Sequence, residues 1–459
     1  MPADRSRRPA VGPDPAFVFP AITRHRLANG LDVRTVEHPG VPVVTFVVLL
    51  RGGLSGDGHG QEGLAALTAD MVDEGTGSMG AIDVSDALAR IGADYEADVG
   101  PDFTLFRSTT LTRYADRAAG LLADLVVRPS LRETDLERVR QLRLDRLRQL
   151  KDYAPALADR HFLQQLYGSH PYGHSAMGTA SAVGALGLDD VRRLHALAYR
   201  PSKAVLIVVG AMSHDALRRC GEQAFGGWDD ASADTADLII GPPIIRDGAS
   251  LSIVPRPSAA QSELRIGHLM PLRRDGADYS ALIVMNAVLG GQFVSRINLK
   301  LREEKGFTYG ARTGFDWRRG GALFSLETSV HTASTAEAVA DSLRECAAIR
   351  VGQPPTAREL DLARASLTRG YPRGFETAQQ VARSVVTLAA FDLPDSYFAD
   401  FASGVQAVVA ADVERVATEH LRPERLTTVI VGDPAVIAEP LAGLGFGPPS
   451  IIQPEPSDE

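Results

Sequence analysis

The sequence predicts an α+β protein built from two homologous domains, each a mainly antiparallel sheet packed with helices as an α/β sandwich. Three observations carry that expectation. The first is an internal echo. Asp190-Val191-Arg192-Arg193 leads to Arg200-Pro201 and an apolar strand ending Val208-Val209-Gly210; Asp412-Val413-Glu414-Arg415 leads to Arg422-Pro423 and a strand ending Ile430-Val431-Gly432, with every matched pair 222 residues apart. In each copy a short helix is expected to open after an acidic residue, Arg-Pro stops it, and a buried strand follows. Two copies at so long a period indicate paired domains and not a solenoid. The second observation is that strands and helices come in groups, without the regular alternation of a parallel α/β sheet. The third is size and composition: 459 residues, 44% apolar and 23% charged, are too many for one ordinary core and ample for two.

Val43 to Leu50 is a continuous apolar strand. Gly63 to Glu74 reads as a helix, with Leu64, Leu67 and Met71 at three- and four-residue spacing. Asp83 to Ile91 is a second helix, closed by Gly92. Leu131 to Lys151 is a long helix carrying Leu136, Val139, Leu142, Leu147 and Leu150. A helix ending near Lys305 turns at Gly306 into a strand from Phe307, and Phe324, Leu326, Thr328 and Val330 alternate as a half-buried strand does. From Asp229 to Ser250 acidic, Ala-rich sequence gives way to Gly241-Pro242-Pro243, the composition of a linker. The expected division is therefore 16–230, a linker at 231–248, and 249–448, flanked by Pro-rich tails.

A net charge of −9 argues against nucleic acid and anionic membrane as partners, since both select basic surfaces. Cys220 and Cys346 are expected as reduced, buried thiols and not as a disulfide framework. No stretch has the length of a transmembrane span or a signal-peptide core, so the expected location is the cytoplasm, or the periplasm if a leader was removed.

Several short motifs then fall into one order. Leu27-Ala28-Asn29-Gly30-Leu31, Arg51-Gly52-Gly53, Gly63-Leu64-Ala65, Gly75-Thr76 and His170-Pro171-Tyr172-Gly173 occupy the first half. Gln261-Ser262, Leu289-Gly290-Gly291, Ser295-Arg296 and Leu301-Arg302-Glu303 with Tyr309 occupy the second. Together they resemble the insulinase and mitochondrial-processing-peptidase family of inverted zincins over nearly the whole chain, which implies the LuxS/metallohydrolase-like peptidase fold. In active members the helix between the Gly-Leu-Ala and Gly-Thr signals carries H-x-x-E-H. Two histidines four apart on one helical face hold zinc, and the Glu between them is the general base. Here the window reads Ala66-Leu67-Thr68-Ala69-Asp70, so the ligand and base positions are Ala66, Ala69 and Asp70. The resemblance implies a third ligand, a Glu in the next long helix. Between Arg138 and Lys151 the only acid is Asp145, and Leu144 is the expected structural match. The expectation is that this chain holds no metal. His59 and the pair His170 and His174 do not restore the site, because Pro171 and Gly173 keep the latter two off a helix.

What the resemblance leaves intact is Arg302 and Tyr309, seven residues apart. In the family such a pair leans over a zinc held by the other half or another subunit, the Tyr donating to the developing oxyanion and the Arg holding a substrate carbonyl. The expected function is the non-catalytic subunit of a heterodimeric zinc metallopeptidase. Arg302 and Tyr309 act in trans on unfolded peptide held by strand addition, and zinc is expected in the homologous partner. The alternative is a peptide-binding or scaffold protein of the same fold with no part in proteolysis. An independent enzyme with another site finds no support: the sequence has no nucleophile elbow, Cys/His pairing or phosphate loop, and Gly290-Gly291 lacks the lysine.

Overall fold

The computed structural model describes residues 17–229 and 240–452. Apart from a two-residue ladder pairing Gly75-Thr76 with Met79-Gly80, the strands form two six-stranded sheets. The first contains β1 (Thr23–Arg26), β2 (Asp32–Glu37), β3 (Val43–Arg51), β4 (Glu96–Val99), β5 (Phe103–Leu111) and β6 (Ala204–Gly210), in the order β1-β2-β6-β3-β5-β4. The second contains β7 (Ser250–Pro255), β8 (Gln261–Met270), β9 (Ala311–Arg318), β10 (Gly321–His331), β11 (Thr427–Gly432) and β12 (Ser450–Ile451), in the order β9-β10-β8-β11-β7-β12.

The sequence echo is a repeat of this topology. β6 lies parallel to β2 and antiparallel to β3, as β11 lies parallel to β7 and antiparallel to β8. Each sheet continues into a hairpin, β4–β5 or β9–β10. The helices before the echoed strands, Leu188–Ala198 and Ala410–His420, start alike. In the first the Gly187 N–H donates to Asp190 at 2.9 Å, and in the second the Val409 N–H donates to Asp412 at 2.9 Å. Asp190 and Asp412 are the echoed acids, each placed to satisfy an orphan donor of the helix start. The outermost strands differ, β1 being antiparallel and β12 parallel to its neighbour.

Each sheet has one face covered by its own helices and one covered by a helix from the other half. Leu31, Val33, Phe46, Val48 and Phe106 pack with Ala69, Val72, Leu122 and Leu217 of local helices. On the opposite face Val36, Val47, Leu49, Val205, Ile207 and Val209 meet Val381, Val385 and Leu388 from the helix Ala378–Ala390. Reciprocally, Phe162 and Leu166 of the helix Ala154–Tyr167 pack on Val254, Leu269, Leu323, Val429 and Val431 of the second sheet. A strand buried on both faces carries a continuous apolar run, as the wholly buried Ala204–Gly210 does.

Two local expectations are corrected. The long helix spans Glu133–Leu150, but its buried stripe is Leu136, Val139 and Arg143; Leu142 is exposed, because the 3.6-residue turn carries it off the packed face. The helix before Gly306 runs from Arg296 through a wide π turn at Leu299–Glu304. The following strand begins at Ala311 and not at Phe307, since Thr308 Oγ1 bonds the Gly310 N–H at 3.0 Å and holds a turn there. Residues 231–239 of the expected linker, and most of both tails, lie outside the described residues.

Candidate functional site

The helix Leu64–Val72 carries Ala66, Ala69 and Asp70, the window in which the family resemblance expects the zinc motif. Asp57 holds its start: the wholly buried carboxylate accepts the N–H groups of Gly63 and Ala65, both at 2.7 Å, at the positive end of the helix dipole. Burial nevertheless pushes the Asp57 carboxyl up to about 6, against the lowering effect of those two bonds and of His174, 3.9 Å away. Gly63 and Gly178 pack backbone to backbone. Gly178 has φ +72°, and a Cβ there would lie 2.0 Å from the Glu62 carbonyl oxygen, so only glycine lets the loop before Thr179 close on the helix start.

Ala66 and Ala69 are buried and offer no donor to a metal. Asp70, where the resemblance expects the second histidine, pairs with Arg143. Arg143 is 7% exposed, and its guanidinium also donates to the Ala176 carbonyl in the loop that approaches the helix start. The long helix thus presents Arg143 to position 70. Asp145 turns outward to Arg148 and Gln141. A zinc site needs about three protein donors of the imidazole, thiolate or carboxylate kind. This cluster has one carboxylate already neutralised by a buried cation, so its residues do not fit a zinc ion. Next along the chain, burial and the neighbouring Glu74 charge push the Asp73 carboxyl up to about 6.

The second half carries the Arg/Tyr pair. Tyr309 is 94% exposed and stands on the rim of an open groove of about 540 Å³. The groove floor is the polar end of β8–β10 (Glu263, Arg265, Arg312, Glu327), and its other wall is the Gly290–Phe293 loop. Asn298 fastens that loop to the edge strand, donating to the Phe293 carbonyl at 2.6 Å and accepting the Ala311 N–H at 3.0 Å. Arg302 lies in the π turn, with its guanidinium 4.0 Å from the centre of the Phe293 ring. Its Nη1 sits 2.9 Å from Glu303 but is not aligned for a hydrogen bond. Arg302 does not line the groove that Tyr309 lines; Phe293, beneath the guanidinium, joins the two.

The histidine expectations separate cleanly. His170 bonds the Gly241 carbonyl at 3.1 Å and accepts the Tyr172 N–H, while His174 faces Asp57, so the two rings have different partners. His59 is fully exposed. Tyr172, from the same motif, donates to Asp102, whose other oxygen accepts the Arg319 N–H at 2.9 Å from the second half. One further group among the described residues, Asp278, Glu419 and His420, is close enough to hold an ion, but Arg415 bonds Asp278 at 2.7 Å and Glu419 at 3.0 Å. Sequence reasoning missed Asp57, Asp102 and Arg143. Only Asp57 left a signal, as a lone acid in the Gly-rich segment just before a helix start.

Two family models match the chain: insulinase (peptidase family M16) over residues 33–180 and the peptidase M16 inactive domain over residues 185–367. An uncharacterized zinc protease of Mycobacterium tuberculosis is 28% identical over 370 residues, 79% of this chain and 82% of that protein. The non-peptidase homolog YmxG of Helicobacter pylori is 23% identical over 405 residues, 86% of this chain and 90% of that one. A crystal structure of a peptidase M16 inactive domain from Pseudomonas fluorescens superimposes with a TM-score of 0.83 at 24% identity, covering 90% of this chain and 98% of that chain.

Proposed function

The chain belongs to the insulinase (M16) peptidase family, and from that premise we propose that it is the non-catalytic subunit of a two-chain zinc metallopeptidase. The observation that carries this reading is the state of the motif helix. Ala66 and Ala69 provide no ligand and Asp70 is committed to Arg143, whereas Tyr309 stands free on an open groove. A homologous partner bearing H-x-x-E-H would hold the zinc, which when bound supplies the activated water. This chain's part is to hold peptide and place donors. The phenol of Tyr309 donates to the carbonyl oxygen as charge develops on it, and the Arg302 guanidinium, steadied on Phe293, holds a neighbouring substrate carbonyl.

The H. pylori relative named a non-peptidase homolog favours a second reading, a peptide-binding or scaffold protein of the same fold. A pull-down from the native cell separates the two. Under the subunit reading an H-x-x-E-H chain co-purifies with zinc-dependent peptide hydrolysis. Tyr309→Phe then lowers kcat about 10²-fold, the scale of one lost oxyanion donor, and Arg302→Ala raises KM, both without releasing the partner. A chain that purifies alone and inert supports the scaffold reading. Of location, the structure contributes one fact: among the described residues no helix is long and apolar enough to cross a membrane.

A further inference from the structure

We propose that the π turn carrying Arg302 is held in its wide form by two ion pairs to the helices behind it, which makes Asp341 and Glu359 positioning residues for Arg302. The role rests on the reading in which Arg302 holds a substrate carbonyl, and the positioning itself is measurable without a partner chain.

The local sequence does not ask for a wide turn. Leu299-Lys300-Leu301-Arg302-Glu303-Glu304 consists of good α-helix formers, and Lys300 pairs with Glu304 at 2.6 Å in the i,i+4 arrangement that supports an α-helix. Yet the Lys305 N–H donates to the Lys300 carbonyl, five residues back, at 3.2 Å. Single π turns inside helices are rare and recur at functional sites. Here the cause lies in tertiary contacts at the two ends of the segment.

At the start, Arg296 forks onto Glu359, with Nε 2.6 Å from Oε1 and Nη2 2.9 Å from Oε2, and donates to the Gln353 carbonyl at 2.8 Å. Glu359 is fixed in turn at the start of the helix Ala357–Arg369, where it accepts the Thr356 N–H at 2.8 Å. At the far end, Lys305 Nζ lies 2.6 Å from Asp341, a buried carboxylate on the helix Thr335–Ala348. Its other oxygen accepts from Arg344 at 2.5 Å. Between the two anchors Ile297 and Leu301 are wholly buried, so the segment is also seated by its apolar side.

A π turn holds about one residue more than an α turn. If Arg296 stayed in place and the turn tightened, Lys305 would swing by about 100° around the axis and leave Asp341. Arg302, between the anchors, would be carried part of the way off the Phe293 ring. The Lys305–Asp341 pair therefore opposes the α form, and the stacking of Arg302 at 4.0 Å on Phe293 depends on it. A carboxylate as buried as Asp341 is costly to leave unpaired, which holds Lys305 and the turn before it in one register.

Fluorine NMR of the isolated chain, with para-fluorophenylalanine placed at position 293 alone, tests the positioning. Arg302→Ala calibrates the resonance of a ring without its cation. Asp341→Asn and Glu359→Gln are each expected to move the signal roughly half of the way to that value or further, whereas Asp86→Asn, which removes an exposed acid of the first half, leaves it in place. An unmoved signal in folded Asp341→Asn and Glu359→Gln proteins overturns the proposal. Should Asp341→Asn not fold, Lys305→Met removes the same pair from its more exposed end and is read in the same way. In the two-chain peptidase, Asp341→Asn is expected to raise KM about tenfold with kcat kept, the pattern of Arg302→Ala. A fall in kcat at unchanged KM overturns the assignment. If the fluorine signal moves as expected while Arg302→Ala itself leaves KM unchanged, the clamp stands and the substrate role of Arg302 fails.

Discussion

Asp73 shows how a single side chain sets a pH dependence here. Its folded pKa is raised to about 6, chiefly by burial, so the folded state binds the proton more tightly than the unfolded chain does. Stability from this group is greatest below its unfolded value near 4 and is lost as pH rises towards 6, leaving a penalty above that. Asp73→Asn is expected to raise stability at pH 7.5 by about 1–2 kcal/mol once solvent screening is allowed for, and to flatten the slope between pH 4 and 6. Urea melts of both proteins at pH 4.5, 6 and 7.5 measure it; an unchanged slope sinks the assignment. At this same scale the degenerate motif is an expectation that the sequence offered through the family resemblance. Ala66, Ala69 and Asp70 follow from a gapless register between Gly63-Leu64-Ala65 and Gly75-Thr76. Arg143 was not legible. Which face of the long helix points at position 70 depends on how two helices pack, and an arginine on an apolar stripe is indistinguishable from a surface arginine in a helix rich in them.

Among the elements, the exchanged helices carry the largest energetic consequence. Phe162 projects from Ala154–Tyr167 onto the second sheet where Gly267 leaves room: a Cβ on Gly267 would lie 2.9 Å from the Phe162 ring. Phe162→Ala removes that ring from a contact 3% exposed and is expected to cost about 3–5 kcal/mol in equilibrium unfolding. A loss below about 1 kcal/mol shows that the helix is not anchored there. An amphipathic pattern shows that a helix is buried on one side, yet it carries no sign of which sheet receives it. The motif loops behave likewise. Arg302 and Tyr309 were singled out by the family resemblance, whereas the π turn that sets Arg302 over Phe293 and the Asn298 bonds that tie the neighbouring loop to the edge strand belong to the tertiary structure.

For the molecule as a whole, reciprocal helix exchange and the Asp102–Tyr172–Arg319 network join the halves through a continuous interface. Arg318 adds to it, its guanidinium 4.8 Å from the Tyr167 ring centre and 4.9 Å from that of Tyr172. Residues 1–234 and 235–459 co-expressed as separate chains are therefore expected to co-elute as one species near the intact mass on size exclusion and to unfold in a single transition. Separate elution, or two transitions, removes the claim that the halves form one cooperative unit. The internal echo foretold the two matched sheets; the exchange of helices between them had no counterpart in the repeat.

Periodicity, spacing and residue chemistry are local properties of the chain, and they were enough to establish the α+β class, the duplicated architecture and the absence of histidine from the helix Leu64–Val72, while the family came from the resemblance of its ordered short motifs. Long-range apposition was decided by packing: Arg143 against Asp70, Phe293 beneath Arg302, each half's helix on the other half's sheet. The physical reason is that a helix or strand encodes which of its faces is apolar or charged, while the identity of the surface that meets that face emerges only when every element competes for burial at once.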